Sequence, residues 1–291
     1  MADMVLSPAS TVQQGERWDK WFIRLFRREG FGVFTLILLI IGIIGPISTV
    51  FLWAFATEWR YPNIIPSEWG MKYWQETLSR AEVVRALPNS IGLTLVVTLL
   101  SAVICLPASY AFARLQFRGR QFFLLSFLIT NAFPRFGLYV SIAVLFFRLH
   151  LVGTFTGVVL IQLVNTLLLM VWIPTSAFQG IDRSLEEAAL DVGASPVRVF
   201  IQITLPLVVP ALLAAILLTA VGTFYEVYGA LLIGAPNVIT IPVIMFPLIN
   251  NQPIPQYGAI LSLVLWLPSM VLLVFANRLL RGGYLTAGLG V

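Results

Sequence analysis

Long apolar stretches alternate with shorter polar ones along this chain, and the pattern predicts membrane-spanning helices. A helix needs about twenty apolar residues to cross the hydrocarbon core of a bilayer. The stretches that reach this length are Phe34–Phe55, Ser90–Ala113, Phe122–Phe147, Thr154–Ala177, Leu207–Ala230 and Tyr257–Leu280. They far exceed the roughly ten residues of a barrel strand and do not alternate in polarity. The sequence therefore predicts an all-α integral membrane protein with six transmembrane helices.

The composition agrees with a membrane protein and excludes several other classes. Apolar residues make up 59% of the chain and charged residues 11%, far from a soluble globular average. The net charge of +5 comes without a basic face carrying interleaved aromatics, which argues against nucleic-acid binding. The single cysteine, Cys105, excludes an intrachain disulfide, and the single histidine, His150, has no ligand neighbours that predict a metal site. No nucleophile–base pair points to an enzyme.

The basic residues predict the orientation, because Lys and Arg accumulate on the cytoplasmic side of membrane proteins. The outer loops hold fewer of them. Those that the six-helix arrangement assigns to the cytoplasmic side are Arg17, Lys20, Arg24, Arg27, Arg28, Arg114, Arg118, Arg120, Arg183, Arg198, Arg278 and Arg281. Both termini are thus expected in the cytoplasm.

The same pattern divides the chain into three parts. Residues 1–32 form a polar N-terminal segment, 33–281 the transmembrane domain, and 282–291 a cytoplasmic tail. We expect the first apolar stretch to remain as an anchor, because it is too long for the core of a signal peptide. Within the N-terminal segment, Arg17–Glu29 is compatible with an amphipathic helix on the inner membrane surface or with a simple stop-transfer flank.

The polar loop at about 178–206, between the fourth and fifth stretches, carries strong helix signals. Ser184 and Glu187 have the spacing of a capping box, and Gly193 suits the left-handed residue that ends a helix. Ser195-Pro196 then predicts the start of a second helix that runs into the fifth stretch. The loop should therefore contain a short helix, a tight turn and a helix joined rigidly to the membrane domain.

The short helix has the features of a docking element. Ala188 and Ala189 permit close approach, Leu185 offers an apolar anchor, and Glu186 or Glu187 can pair with a basic residue across the contact. The alternative is an ordinary amphipathic connector at the inner surface. The acidic residues of the loop disfavour that alternative, because they would lie against anionic lipid headgroups.

Glu187-Ala188-Ala189, followed at fixed spacing by Gly193, Ile203 and Leu205-Pro206, resembles the cytoplasmic EAA loop of ABC-importer permease subunits. Residues 181–189 and the tail at 285–288 are similar to sugar permeases of the maltose type. That family implies a second homologous permease, two ABC ATPases that bind ATP and Mg, an extracytoplasmic solute-binding protein, and a location in the bacterial inner membrane. The residues to which it assigns ATPase coupling are Ser184, Glu186, Glu187, Ala188, Ala189 and Gly193. The chain has no Walker motif, so we expect it to bind no cofactor itself.

The solute is less well defined than the family. A sugar or sugar derivative, including an anionic one, is the first expectation. Residues 59–66 are closer to permeases for polyamines and phosphonates, which keeps a small organic ion as an alternative. Arg135 stands where polyamine-type relatives tend to be acidic, and it would repel a cation. An autonomous channel or secondary transporter is a further alternative, but it leaves the EAA pattern unexplained.

Two charged residues lie inside apolar stretches, where charge is costly unless it is paired or hydrated. Arg135 and Glu226 are expected at different depths, about 20 Å and 28 Å from the inner side at the helical rise, which disfavours a direct pair unless Pro134 bends the helix. One interpretation is a hydrated solute path. Its candidate residues are Asn131, Arg135, Gln162, Asn165, Tyr225 and Glu226. The other is a structural role, in an Arg135–Glu226 pair or against the partner permease.

Overall fold

The computed structural model describes residues 29–60, 62–251 and 254–281, and within them the fold is almost entirely helical. Two predictions lie outside these residues: the amphipathic helix or stop-transfer flank at Arg17–Glu29, of which only Glu29 is described, and the cytoplasmic tail at 282–291. The elements are α1 Glu29–Phe55, β1 Ala56–Glu58, β2 Glu68–Trp69, α2 Lys72–Ser79, α3 Ala81–Arg114, α4 Arg120–Ala132, α5 Arg135–Arg148, α6 Phe155–Gln179, α7 Arg183–Asp191, α8 Pro196–Val199, π1 Phe200–Thr204, α9 Leu205–Phe224, π2 Ala230–Gly234, α10 Ile241–Asn251 and α11 Pro255–Arg281.

Five helices of the described residues are long and apolar enough to cross a membrane, by length and composition. They correspond to the first, second, fourth, fifth and sixth stretches of the sequence prediction. Their ranges are Gly32–Phe55, Ala81–Arg114, Phe155–Gln179, Pro196–Phe224 and Pro255–Val274. The all-α prediction holds apart from one small strand pair.

The third predicted stretch is two helices, so the prediction of one continuous helix over Phe122–Phe147 is wrong. Helix α4 ends at Ala132, Phe133 is extended, and α5 begins at Arg135. Pro134 explains the break, because proline lacks an N–H donor and pushes the preceding residue out of the helical region. Arg135 therefore starts a helix instead of lying in the middle of one.

The fifth predicted stretch is also too long at its outer end. Helix α9 stops at Phe224, and the prediction that it continues to Ala230 is wrong. Tyr225 and Glu226 lie in a turn that precedes π2. The side chain of Glu226 accepts hydrogen bonds from backbone N–H groups just beyond this turn, which stabilises the interruption.

Helices α3, α6 and α9 form the centre of the bundle. Small polar side chains allow α3 and α6 to approach closely: the Ser101 and Thr166 hydroxyls are hydrogen-bonded, and Ser109 Oγ donates to the Met170 carbonyl at 3.1 Å. Around these contacts, residues such as Val97 are fully buried. Helix α1 packs along α11, and most of its apolar surface is exposed.

The segment between α1 and α3 contains structure that the sequence did not predict. Strands β1 and β2 form an antiparallel pair in which Ala56 faces Trp69. Helix α2 follows, and its Glu76 accepts a hydrogen bond from the Tyr257 hydroxyl at the start of α11. Arg80, at the end of α2, lies over the Tyr257 ring. These contacts fix the segment between α1 and α3 to α11.

Candidate coupling helix and membrane path

Helix α7 begins two residues earlier than the capping-box interpretation requires, at Arg183 instead of Leu185. Asp182 is the N-cap, and its Oδ1 accepts a hydrogen bond from the Ser184 N–H at 3.0 Å. The prediction that Ser184 and Glu187 form the capping box is wrong, because Ser184 already lies in the first helical turn. The hydrogen bonds from Ser184 lower the pKa of Asp182. A carboxylate is also favoured at the positive end of a helix.

This cap gives a direct prediction for Asp182→Ala. Loss of an N-cap should fray the first turn and increase tryptic cleavage after Arg183 in membranes about fivefold. The pKa of Asp182 is lower in the folded chain than its usual 3.8, so the cap's contribution is present above that pH and is lost as the pH falls through the lowered pKa. Ser184→Ala is the control: it keeps the backbone N–H that Asp182 caps and should be cleaved much less than Asp182→Ala. Equal cleavage of the two variants would contradict Asp182 as the cap.

The end of α7 follows the sequence prediction. Gly193 has a φ of 89°, the left-handed conformation that glycine adopts without strain. Its N–H donates to the Leu190 carbonyl at 2.9 Å, and the Ala194 N–H donates to the Ala189 carbonyl at 3.0 Å. This is the Schellman pattern, which satisfies the last carbonyls of a helix. Ser195 Oγ then accepts from the N–H of residue 198, so α8 starts where Ser195-Pro196 predicts.

Glu186 is bound within the chain. Its Oε1 accepts hydrogen bonds from Arg114 Nη2 and from the Thr204 hydroxyl, each at 2.7 Å. The hypothesis that either acidic residue could pair across a contact therefore applies to Glu187. Sequence reasoning missed Arg114 and Thr204 as members of this loop's structure. Only the position of Arg114 at the end of an apolar stretch could have suggested its role.

Glu187 and its neighbours form the exposed surface of α7. Glu187 and Ala188 are exposed, and the apolar side chains of Leu185 and Leu190 are also accessible. Val192, just after the helix, is 86% exposed. An acidic residue flanked by accessible apolar side chains is a surface that a basic, partly apolar groove would fit.

Glu226 is buried, at 7% exposure, and acts as a cap. Its carboxylate accepts from the Gly229 N–H at 2.9 Å, from the Ala230 N–H at 3.2 Å and from Gln162 Nε2 at 3.3 Å. A side chain at Gly229 would crowd this cap, because a Cβ there would lie 3.0 Å from both Glu226 Oε2 and Ile161 Cγ2. These N–H donors offset the free-energy cost of burying the Glu226 carboxylate. The geometry therefore favours the structural interpretation of Glu226.

The remaining path candidates are more dispersed. Arg135 is exposed at the first position of α5, and among the described residues it makes no ion pair with Glu226. Asn131 and Asn165 are half-buried. Tyr225 donates to the Leu265 carbonyl at 3.1 Å and lines a cavity of about 580 Å³ on another side of the bundle. Within the described part of the chain, only Gln162 and Glu226 of the six are joined by a hydrogen bond.

Comparison with known proteins decides the family. A family profile described as the binding-protein-dependent transport system inner membrane component matches residues 105–282, more than half of the chain. The chain belongs to this family. It is therefore a permease component of an ABC importer, and its long apolar helices agree with a multi-pass protein of the inner membrane.

Individual relatives show the same relationship. The maltose/maltodextrin transport system permease protein MalG of Yersinia pestis is 31% identical over 252 residues, which cover 78% of this chain and 81% of MalG. The putrescine transport system permease protein PotI of Escherichia coli is 27% identical over 206 residues, with 68% and 73% covered. A chain from a bacterial ABC transporter involved in the import of the acidic polysaccharide alginate has a TM-score of 0.68 at 15% identity. That likeness covers 91% of this chain and 98% of the other, and it shows the shared fold.

Proposed function

We propose that this chain is the membrane-spanning subunit of an ATP-driven importer that moves a sugar or sugar derivative into the cytoplasm by alternating access. Residues 33–281 form the permease domain, in which the α4–α5 pair takes the place of the third of six spans. Residues 1–32 and 282–291 flank it on the cytoplasmic side. The basic residues at the inner ends of the spans support this orientation.

The observation that carries the proposal is the exposed surface of α7. Glu187 is exposed and Glu186 is bound inside the chain, so one helix faces both a partner and its own membrane domain. We propose that Glu187, Leu185 and Leu190 dock into a groove on an ABC ATPase that binds ATP and Mg and hydrolyses the nucleotide. This chain is then the non-catalytic subunit, and movement of the groove becomes movement of the bundle.

The solute path needs a second permease. Asn131, Arg135 and Asn165 are not fully buried by this chain. Asn165 lies in α6, which is long and apolar enough to span a membrane, and Asn131 and Arg135 lie where α4 and α5 meet. Polar groups at that depth require a partner or water. We propose that a homologous subunit completes a hydrated path there, and that an extracytoplasmic binding protein delivers the solute to its outer end.

A sugar solute is supported by the relationship to MalG and by Arg135. An exposed arginine at the N-terminus of α5 adds a positive charge to the positive end of a helix dipole, which favours a hydroxyl-rich or anionic solute. The second candidate, import of a polyamine or another small organic ion, is favoured by the relationship to PotI. A cationic solute would be repelled by Arg135.

Uptake into right-side-out vesicles from the native membrane distinguishes these functions. We expect labelled maltose, trehalose or a uronic-acid oligosaccharide to enter in an ATP-dependent manner that an ionophore does not abolish. Uptake of labelled putrescine, with none of the sugars entering, would establish the second candidate. Uptake that survives ATP depletion and collapses with the ionophore would contradict the proposal and indicate a secondary transporter.

Arg135→Ala tests the role of this residue in the path. For an anionic sugar, loss of the guanidinium should raise the concentration for half-maximal uptake about tenfold, equivalent to about 1.4 kcal/mol. ATP hydrolysis without solute should be unchanged. Arg148→Ala is the matched control, because Arg148 is an exposed arginine at the other end of the same helix. An unchanged concentration dependence in Arg135→Ala would remove the proposed role.

A further inference from the structure

One carboxylate joins three elements at the cytoplasmic side of the bundle. Glu186 of α7 accepts a hydrogen bond from Arg114 Nη2 and another from the Thr204 hydroxyl. Arg114 is the last residue of α3, and Thr204 is the last residue of π1. The side chains of Arg114 and Glu186 are only 9% and 18% exposed, and Thr204 is 1% exposed. The pair is therefore screened less by water than an ordinary surface salt bridge.

Two further hydrogen bonds strengthen the connection between α7 and α3. Arg114 Nη1 donates to the Ile181 carbonyl at 3.4 Å, and Arg183 Nη2 donates to the Arg114 carbonyl at 3.3 Å. The residues before and at the start of α7 are thus bound to the end of a spanning helix of 34 residues. The Arg114–Glu186 ion pair and these hydrogen bonds to backbone carbonyls therefore both connect α7 to α3.

The chain that leads from α7 to α9 is irregular. The chain from α7 to α9 passes through the turn at Gly193, the four-residue helix α8 and then π1. A π-helical segment interrupts the regular hydrogen-bond ladder of an α-helix, and such segments occur often at functional sites. Neither this connection nor the short link from α6 to α7 at residues 180–182 includes a residue of α3.

We propose that Glu186 is a positioning residue whose bonds to Arg114 and Thr204 fix α7 to α3 and α9, so that both spans move with α7 as one body. The inference rests on the proposed function, in which Glu187 contacts the ATPase. The adjacent carboxylates then have different roles. Glu187 contacts the ATPase, whose movement displaces α7, and Glu186 bonds α7 to the spans that move with it. Without the contacts of Arg114, the chain connections of α7 would lead to α6 and α9 but not to α3.

The test measures distances within the purified complex, with its ATPases bound and Cys105 replaced by alanine. Spin labels at Val103 and Val192 report α3 and α7, because these side chains are 70% and 86% exposed. Pulsed electron paramagnetic resonance is recorded without nucleotide and after trapping with ATP and vanadate. We expect one narrow distance distribution that is the same in both states.

Glu186→Gln and Arg114→Gln should each broaden this distribution at least about twofold, since each removes the ion pair. Glu186→Gln keeps the size of the side chain, and Arg114→Gln keeps a polar amide in a shorter one. The double variant Arg114→Glu with Glu186→Arg should restore the narrow distribution, because a threonine hydroxyl can also accept from arginine. Asp191→Asn, on the exposed end of α7, is the control and should not change it. A purely structural role would reduce the yield of complex without this pattern of broadening and rescue.

Two results would overturn the inference. One is a wild-type distance that shifts between the two nucleotide states, which would show that α7 moves relative to α3. The other is a narrow distribution that persists in both single variants. If no ATPase accompanies the purified chain, the proposed function fails and the inference with it. If the ATPases are present, the distance distributions decide the role of Glu186 alone.

Discussion

Glu187→Lys is expected to leave the protein inserted in the membrane and to lower ATP-dependent uptake at least about 100-fold, the effect of losing about 2.8 kcal/mol at the docking contact. Glu187 is exposed, and within the described residues it forms no salt bridge inside the chain. The substitution therefore leaves the fold intact and places a repulsive charge against a basic groove. Uptake is measured in vesicles, with the membrane content of the chain determined by immunoblot.

The matched control is Asp191→Lys, because Asp191 is also exposed and acidic on the same helix. At the C-terminal end of α7 a lysine is compatible with the helix dipole, so helix stability should not fall. Uptake in this variant should stay within about twofold of the wild type. Normal uptake in Glu187→Lys, at normal membrane content, would show that this residue does not carry the coupling.

Glu226→Ala is expected to destabilise the fold by about 3 kcal/mol, because it leaves the N–H groups of Gly229 and Ala230 and the amide of Gln162 without their acceptor in a water-poor environment. The Tm in detergent should fall by several degrees. Uptake should fall in proportion to the amount of folded protein. This is the behaviour of a structural cap.

Glu226→Gln distinguishes a role of Glu226 as a hydrogen-bond acceptor in the cap from a role of its charge in binding the solute. The glutamine oxygen can still accept from the Gly229 N–H, so we expect it to retain at least half of the stability that Glu226→Ala loses. A Tm unchanged in Glu226→Ala, combined with loss of uptake, would assign Glu226 to the solute path and contradict the structural interpretation.

Local signals in the sequence predicted much of this structure. Five spans were predicted from the length of the apolar stretches, because the thickness of the bilayer sets the minimum length of a spanning helix. The turn after α7 follows from Gly193, which suits the left-handed region, and the next helix from Ser195-Pro196. In these cases the residues that determine the structure are adjacent in the chain.

The break between α4 and α5 shows where hydropathy is insufficient. The stretch around Pro134 is mostly apolar, so its length predicts a span, but hydropathy does not report whether the helix is continuous. The proline gave the local signal for an interruption. At the start of α7, both Asp182 and Ser184 are good capping residues, and the choice depends on where the helix begins.

The contacts of the candidate site could not be predicted from local sequence signals, because they join segments that are far apart in the chain. Arg114 and Glu186 are 72 residues apart, and Gln162 and Glu226 are 64 apart. No periodic pattern links such residues. Their pairing depends on how α3, α6 and α9 pack, which only the folded bundle reveals. The outer strand pair at Ala56–Glu58 was missed for the related reason that a few residues carry little pattern.

The most direct test of the proposed function is affinity purification of the tagged chain from its native membrane in a mild detergent, followed by mass spectrometry. We expect recovery of an ATPase with a Walker motif, a second permease and a binding protein, with the ATPase lost selectively in Glu187→Lys. Recovery of the chain without an ATPase, under conditions that keep a known importer intact, would contradict it.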